Sequence, residues 1–209
     1  MAHNRISFLL ILFTIFCITR FVEPACQRCS RSRAFVQKRC QSTLYYNLCV
    51  QSLLPLVNSK IQTQEELAQV ALSVSLARAL YTRAYVTKVA KLLQQTKTPD
   101  YFAVQDCLSQ INDGVTQIAQ SVKEFRQMSI DGEKQFLWHE SNVQSWVSAA
   151  LTDATTCIDG FSAYTIRGKV KATIKAKVLN VAQVTSNALA LFNGYTARHR
   201  ASFRAKKKP

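Results

Sequence analysis

From Leu67 to Ala84, apolar side chains recur at alternating intervals of three and four (Leu67, Val70, Val74, Ala77, Tyr81, Ala84), which draws one stripe along a long helix and fits no strand. Thr63 and Glu66 stand three apart just ahead of the stripe, as a capping box requires, and Pro99 disfavours helical geometry at Thr98, so the helix is expected to end near Gln95. The same periodicity returns three times. Val104, Cys107, Leu108, Ile111, Val115, Ile118, Val122 and Phe125 mark a helix from Asp100 to a break at Met128 to Glu133. A third runs from about Glu140 to Cys157, with Ser141 or Asn142 as its cap, and a fourth starts beyond Gly168 and closes on Gly194. Only five glycines and four prolines occur in 209 residues, too little punctuation for a sandwich or barrel of short strands. Four such helices joined by short loops pack most simply as an all-α, up-down-up-down bundle in one domain.

The ends carry different information. Arg5 precedes an apolar run from Ile6 to Ile18, too short to span a bilayer and arranged as a secretory signal peptide over residues 1–25. Its removal takes Cys17, Arg5, Arg20 and Glu23, which lowers the formal charge from +15 to +14 and leaves six cysteines. An even count in a secreted chain reads as disulfides. Cys40 and Cys49 are nine apart, a separation a tight helical hairpin can close, and a bridge from Cys107 to Cys157 would lock the second long helix to the third. Cys26-x2-Cys29 lacks the matching close pair of a zinc ribbon, so no metal is expected. Residues 26–39 hold five cations and no acid and read as a basic arm; residues 196–209 read as a flexible basic tail around a body spanning residues 40–195.

Chemistry of the catalytic kind has little to work with. Past the signal segment only His139 and His199 remain, in unrelated contexts, and there is no Gly-rich phosphate loop, His-Glu-x-x-His or Gly-x-Ser-x-Gly elbow. His139 beside Trp138 at a helix entrance reads as structural. No cofactor is implied, and the chain reads as a binding protein, not an enzyme. Secretion argues against nucleic acid, and the basic ends have no aromatic interleaving beyond Phe35 and Phe203 for base stacking. Their charge suits either a solvated surface or an acidic polymer.

Four features resemble the plant invertase and pectin methylesterase inhibitor family: the signal segment, Cys40-x3-Leu44-Tyr45-x3-Cys49, the later cysteines at 107 and 157, and the segment SNVQSWVSAALTDATTCIDGF from Ser141 to Phe161. Asn187-Ala188-Leu189-Ala190-Leu191 is similar to the family's C-terminal helix motif, and the likeness spans about residues 36–196. The resemblance implies a four-helix bundle preceded by an N-terminal helical hairpin, bridges Cys40–Cys49 and Cys107–Cys157, and a cell-wall protein that covers the substrate cleft of a pectin methylesterase or an acid invertase in a one-to-one complex. Invertase inhibitors of the family tend to carry Pro-Lys-Phe between the last two cysteines, where this chain has Glu133-Lys134-Gln135-Phe136. The esterase is therefore the favoured target and the invertase the alternative, with a wall-associated pectin-binding protein as a second alternative. The positions matching the family's esterase-facing polar residues are Asp113, Thr156 and Asp159; the plain alternative for each is solvated helix surface or capping.

Overall fold

The computed structural model describes residues 30–56, 61, 63–95, 99–163 and 168–206; the signal segment, Cys26 and Cys29 lie outside them. Two short helices, α1 (residues 30–40) and α2 (Tyr46–Leu53), are followed by four long ones, α3 (Gln64–Leu93), α4 (Pro99–Asp131), α5 (Phe136–Ala163) and α6 (Lys169–Lys206), and no strand occurs among the described residues. Around the bundle α3 packs on α4, α4 on α5, α5 on α6, and α6 back on α3, the cyclic order of an up-down-up-down bundle. The capping box forms: the Glu66 N–H donates to the Thr63 hydroxyl oxygen (3.1 Å) and the Thr63 N–H to Glu66 Oε2 (3.0 Å).

The core divides in two. One cluster surrounds Cys107, Cys157, Phe161 and Ile174, and the other joins the hairpin (Val36, Cys40, Cys49) to Phe125, Val143 and Phe192. Buried Ser75, Ser121 and Thr185 stand between these clusters along their helices. Each hydroxyl is satisfied locally: the Ser75 and Thr185 hydroxyls bond each other, Thr185 donates to Val181 O and Ser121 to Ile118 O, both at 2.7 Å. The hairpin is stapled by Cys40–Cys49 and clamped by Asn187, which accepts from the Tyr45 N–H (3.1 Å) and donates to the Tyr45 carbonyl (3.0 Å). That double bond explains an asparagine within the C-terminal motif, since a leucine there would orphan both backbone groups.

Several boundaries differ from the sequence expectation, each for a packing reason. Residues 30–39 are a helix, not an arm, because Ser32, Val36 and Cys40 recur every four residues and are buried, while the cations occupy the other faces. Gly194 does not end the last helix. Tyr195, His199 and Phe203 continue at intervals of four, Thr196 is buried, and His199 stacks on Phe136 of α5 with ring centroids 4.1 Å apart, so residues 196–206 are helix and not a flexible tail. The second break is also shorter than expected: Met128 is buried, α4 runs to Asp131, and α5 starts at Phe136, leaving Ser141 and Asn142 inside the helix. His139 fixes this junction, its Nδ1 2.9 Å from Glu124 Oε1 and its Nε2 3.0 Å from Asp131 Oδ2. At 4 % exposure, with both nitrogens occupied and no nucleophile beside it, it is a structural residue.

Candidate functional site

The surface shared by α4 and α5 is built on the most extensive helix contact in the bundle. Cys107 and Cys157 are bridged with Cα atoms 4.4 Å apart, and two turns along, a Cβ placed on Gly114 would sit in ordinary van der Waals contact with Ala150 O (3.7 Å) and Asp153 Cβ (3.8 Å). The helices are closely packed here, and the bridge ties them. The exposed faces of the two helices lie side by side along this contact as one strip.

The strip has one sign of charge. Between residues 99 and 122, and along the whole of α5, no lysine or arginine occurs, although the chain carries +15 overall; Asp100, Asp106, Asp113, Asp153 and Asp159 all lie there. Asp113 on α4 and Thr156 and Asp159 on α5 are exposed. The Thr156 hydroxyl donates to the Thr152 carbonyl (3.0 Å), which orients it and leaves its oxygen free to accept. Asp113 lies close enough to Asp153 of α5 for their charges to interact across the seam, and Thr156 and Asp159 follow within two turns of Asp153 on α5.

Asp153 was not singled out by the sequence reading, yet it is the strip's most perturbed group. Burial pushes its carboxyl above the ordinary aspartate value, the Asp113 charge pushes it further, and a hydrogen bond from Gln117 opposes both. Asp153 Oδ2 and Gln117 Oε1 are each buried without a hydrogen-bond partner. An unpartnered buried carboxylate oxygen acts in the same direction as the burial, towards holding the proton. The signal available beforehand was the absence of any cation over α5, which leaves each acid there without an intrahelical ion pair.

Because the folded state holds the Asp153 proton more tightly than the unfolded chain, the penalty is fully present above the raised value and fades as the pH falls through it towards 3.8. Asp153→Asn, which supplies a donor and removes the charge, is therefore expected to stabilise the protein at pH 7 by on the order of 1 kcal/mol. The gain over the wild type should shrink as thermal melts are repeated at lower pH. A gain that grows on acidification would contradict the assignment.

Among the described residues, no group of three or more His, Cys, Asp or Glu side chains is placed to hold a metal ion, and no helix is long and apolar enough to cross a membrane. The model of the family described as plant invertase/pectin methylesterase inhibitor matches residues 34–191. The chain is 42% identical over 198 residues to pectinesterase inhibitor 9 of Arabidopsis thaliana, covering 94% of this chain and 96% of that protein, and 38% identical over 170 residues to pectinesterase inhibitor 11 of the same plant, covering 81% and 84%. In shape it is similar to a crystal structure of a mutant form of a pectin methylesterase inhibitor from Arabidopsis, with a TM-score of 0.57 at 18% identity over 74% of this chain and 92% of that one. At that identity the likeness concerns the fold, whereas the sequence matches run nearly end to end. With its two bridges, its hairpin and its bundle in place, the chain belongs to the plant invertase and pectin methylesterase inhibitor family.

Proposed function

We propose that this protein is a secreted, non-catalytic inhibitor of a plant pectin methylesterase, and that it acts in the cell wall by seating its α4–α5 strip over the enzyme's pectin-binding cleft in a one-to-one complex. The observation that carries the reading is the near full-length match to pectinesterase inhibitor 9, which keeps the target in the esterase branch of a family that also takes invertases. The strip supports it in three physical respects. A stretch of about 24 residues on each of two helices lying about 10 Å apart offers a face of ~700 Å², comparable to the ~800 Å² per partner of a standard specific interface. Its side chains stand on a cross-tied helix pair, so little backbone entropy is lost on docking. And its acid-only charge selects a partner surface of opposite sign while rejecting free acidic polymer.

Within this reading Asp113 and Asp159 supply charge-assisted hydrogen bonds and Thr156 a neutral one at the seam. No bond is made or broken on the inhibitor; it excludes methylated pectin by occupying its place. Oxidised protein titrated against a plant pectin methylesterase near pH 6 is expected to abolish ester hydrolysis at micromolar inhibitor or below, and to leave sucrose hydrolysis by an acid invertase unchanged at the same concentration. Undiminished esterase activity would reject the proposal, and inhibition of the invertase alone would move the protein to the other branch.

A further inference from the structure

On the opposite side of the bundle, where α1 crosses α6 beside the start of α3, a cleft of about 450 Å³ is lined by Lys38, Arg39, Gln41, Ser42, Gln64 and Arg198. Three cations converge there and no acid joins them. Among the described residues none of the three forms an ion pair. The nearest carboxylates in sequence are engaged elsewhere: Glu65 accepts from the Ser129 hydroxyl on α4, and Glu66 caps α3. Arg39 Nε is buried with no hydrogen-bond partner, and the guanidinium is held 5.3 Å over the Phe35 ring. Burial and the Arg198 charge both push Arg39 below the ordinary arginine value, so the two guanidinium groups repel each other across the cleft. Like charges held together, with one N–H buried and unpaired, make an anion site in want of its anion.

We propose that this cleft binds a linear polycarboxylate sugar, an acidic uronide chain, and so tethers the inhibitor to de-esterified wall polymer while the α4–α5 strip remains free. Planar guanidinium groups match carboxylates two hydrogen bonds at a time, and the neutral Gln41, Ser42 and Gln64 between them suit sugar hydroxyls. The volume falls in the range of small-molecule sites. The exposed cations Arg31 and Arg33 further along α1 add positive charge beyond the cleft, which fits a charge-repeating polymer and not a point anion. Gly194 forms part of the floor, and a Cβ there would meet nothing within 4 Å, so the missing side chain is what keeps the cleft open. The assignment stands on α1 with the turn after it, α6 and the first residue of α3, and does not depend on which enzyme the other face meets.

The test is the affinity of the oxidised, full mature chain for an oligogalacturonate of about ten units, measured by calorimetry alongside its fully methyl-esterified form, inorganic phosphate and a hexa-aspartate peptide. Arg198→Gln is expected to weaken oligogalacturonate binding about tenfold, whereas Lys88→Gln, an equal charge change on the exposed surface of α3, should alter it less than twofold. Gly194→Leu changes no charge, suits a helix interior and fills the cleft, and should also weaken binding about tenfold with an unchanged circular dichroism spectrum. Wild-type affinity in Gly194→Leu, or equal losses in Arg198→Gln and Lys88→Gln, would reduce the effect to diffuse charge and overturn the proposal. So would equal binding of the esterified chain, or of phosphate or hexa-aspartate.

Discussion

Replacing both Cys107 and Cys157 with alanine is expected to lower the stability of the folded protein by about 4 kcal/mol, a fall in melting temperature of roughly 8–16 °C for a domain of this size. The bridge joins residues 50 apart in sequence, so its loss frees a long loop in the unfolded chain, and two buried sulfurs leave unfilled space at the tightest contact between α4 and α5. The Cys40–Cys49 bridge closes a separation of only 9, and by the same loop-entropy argument its removal should cost about 2.5 kcal/mol. Thermal unfolding followed at 222 nm on the two double variants reads the ranking directly. If the hairpin variant proved the less stable of the two, clamping of Tyr45 by Asn187 and not loop length would govern the molecule's stability.

Most of the bundle could be read from the chain because its signals are local. The Thr63–Glu66 box and the Pro99 boundary each depend on neighbours within one or two turns, and each reappears in the structure, with α3 ending at Leu93 where Gln95 was expected. The stripe read along α3 marked the helix but not its buried face: Ala77, Tyr81 and Ala84 are exposed, while Ala71, Leu72, Ser75, Ala79, Thr82 and Val86 face the core. What the sequence hid depends on contacts between distant segments. A glycine at 194 reads as a helix end unless one knows that His199 stacks on Phe136, 63 residues earlier. Ser32, Val36 and Cys40 look like three scattered positions among cations until the hairpin is packed against the long helices. The strip was half legible. Asp113, Thr156 and Asp159 came from family likeness, while Asp153 and Gln117 became visible only when the approach at Gly114 brought α4 and α5 side by side.

The largest functional effect is expected from charge reversal on the α4–α5 strip. Asp113 and Thr156 are exposed on adjacent helices, so Asp113→Arg with Thr156→Arg leaves the core untouched and should change folding stability by no more than about 0.5 kcal/mol per site. In a complex the same pair would place two guanidinium groups where the enzyme meets an acid-only surface, which creates like-charge contacts and removes the Asp113 acceptor. Losing a hot-spot residue near the centre of an interface costs about 2 kcal/mol or more. The control is Ser73→Arg, an exposed position on α3 that also adds a cation but lies outside the strip.

The central claim is that a rigid, cross-tied pair of helices plugs the esterase, and the inhibition constant of this Asp113→Arg, Thr156→Arg variant tests it most directly. Measured against one plant pectin methylesterase beside the wild type and Ser73→Arg, the constant should rise at least a hundredfold for the strip variant and less than threefold for the control. Equal inhibition by all three proteins would contradict the account and place the enzyme on another face of the bundle.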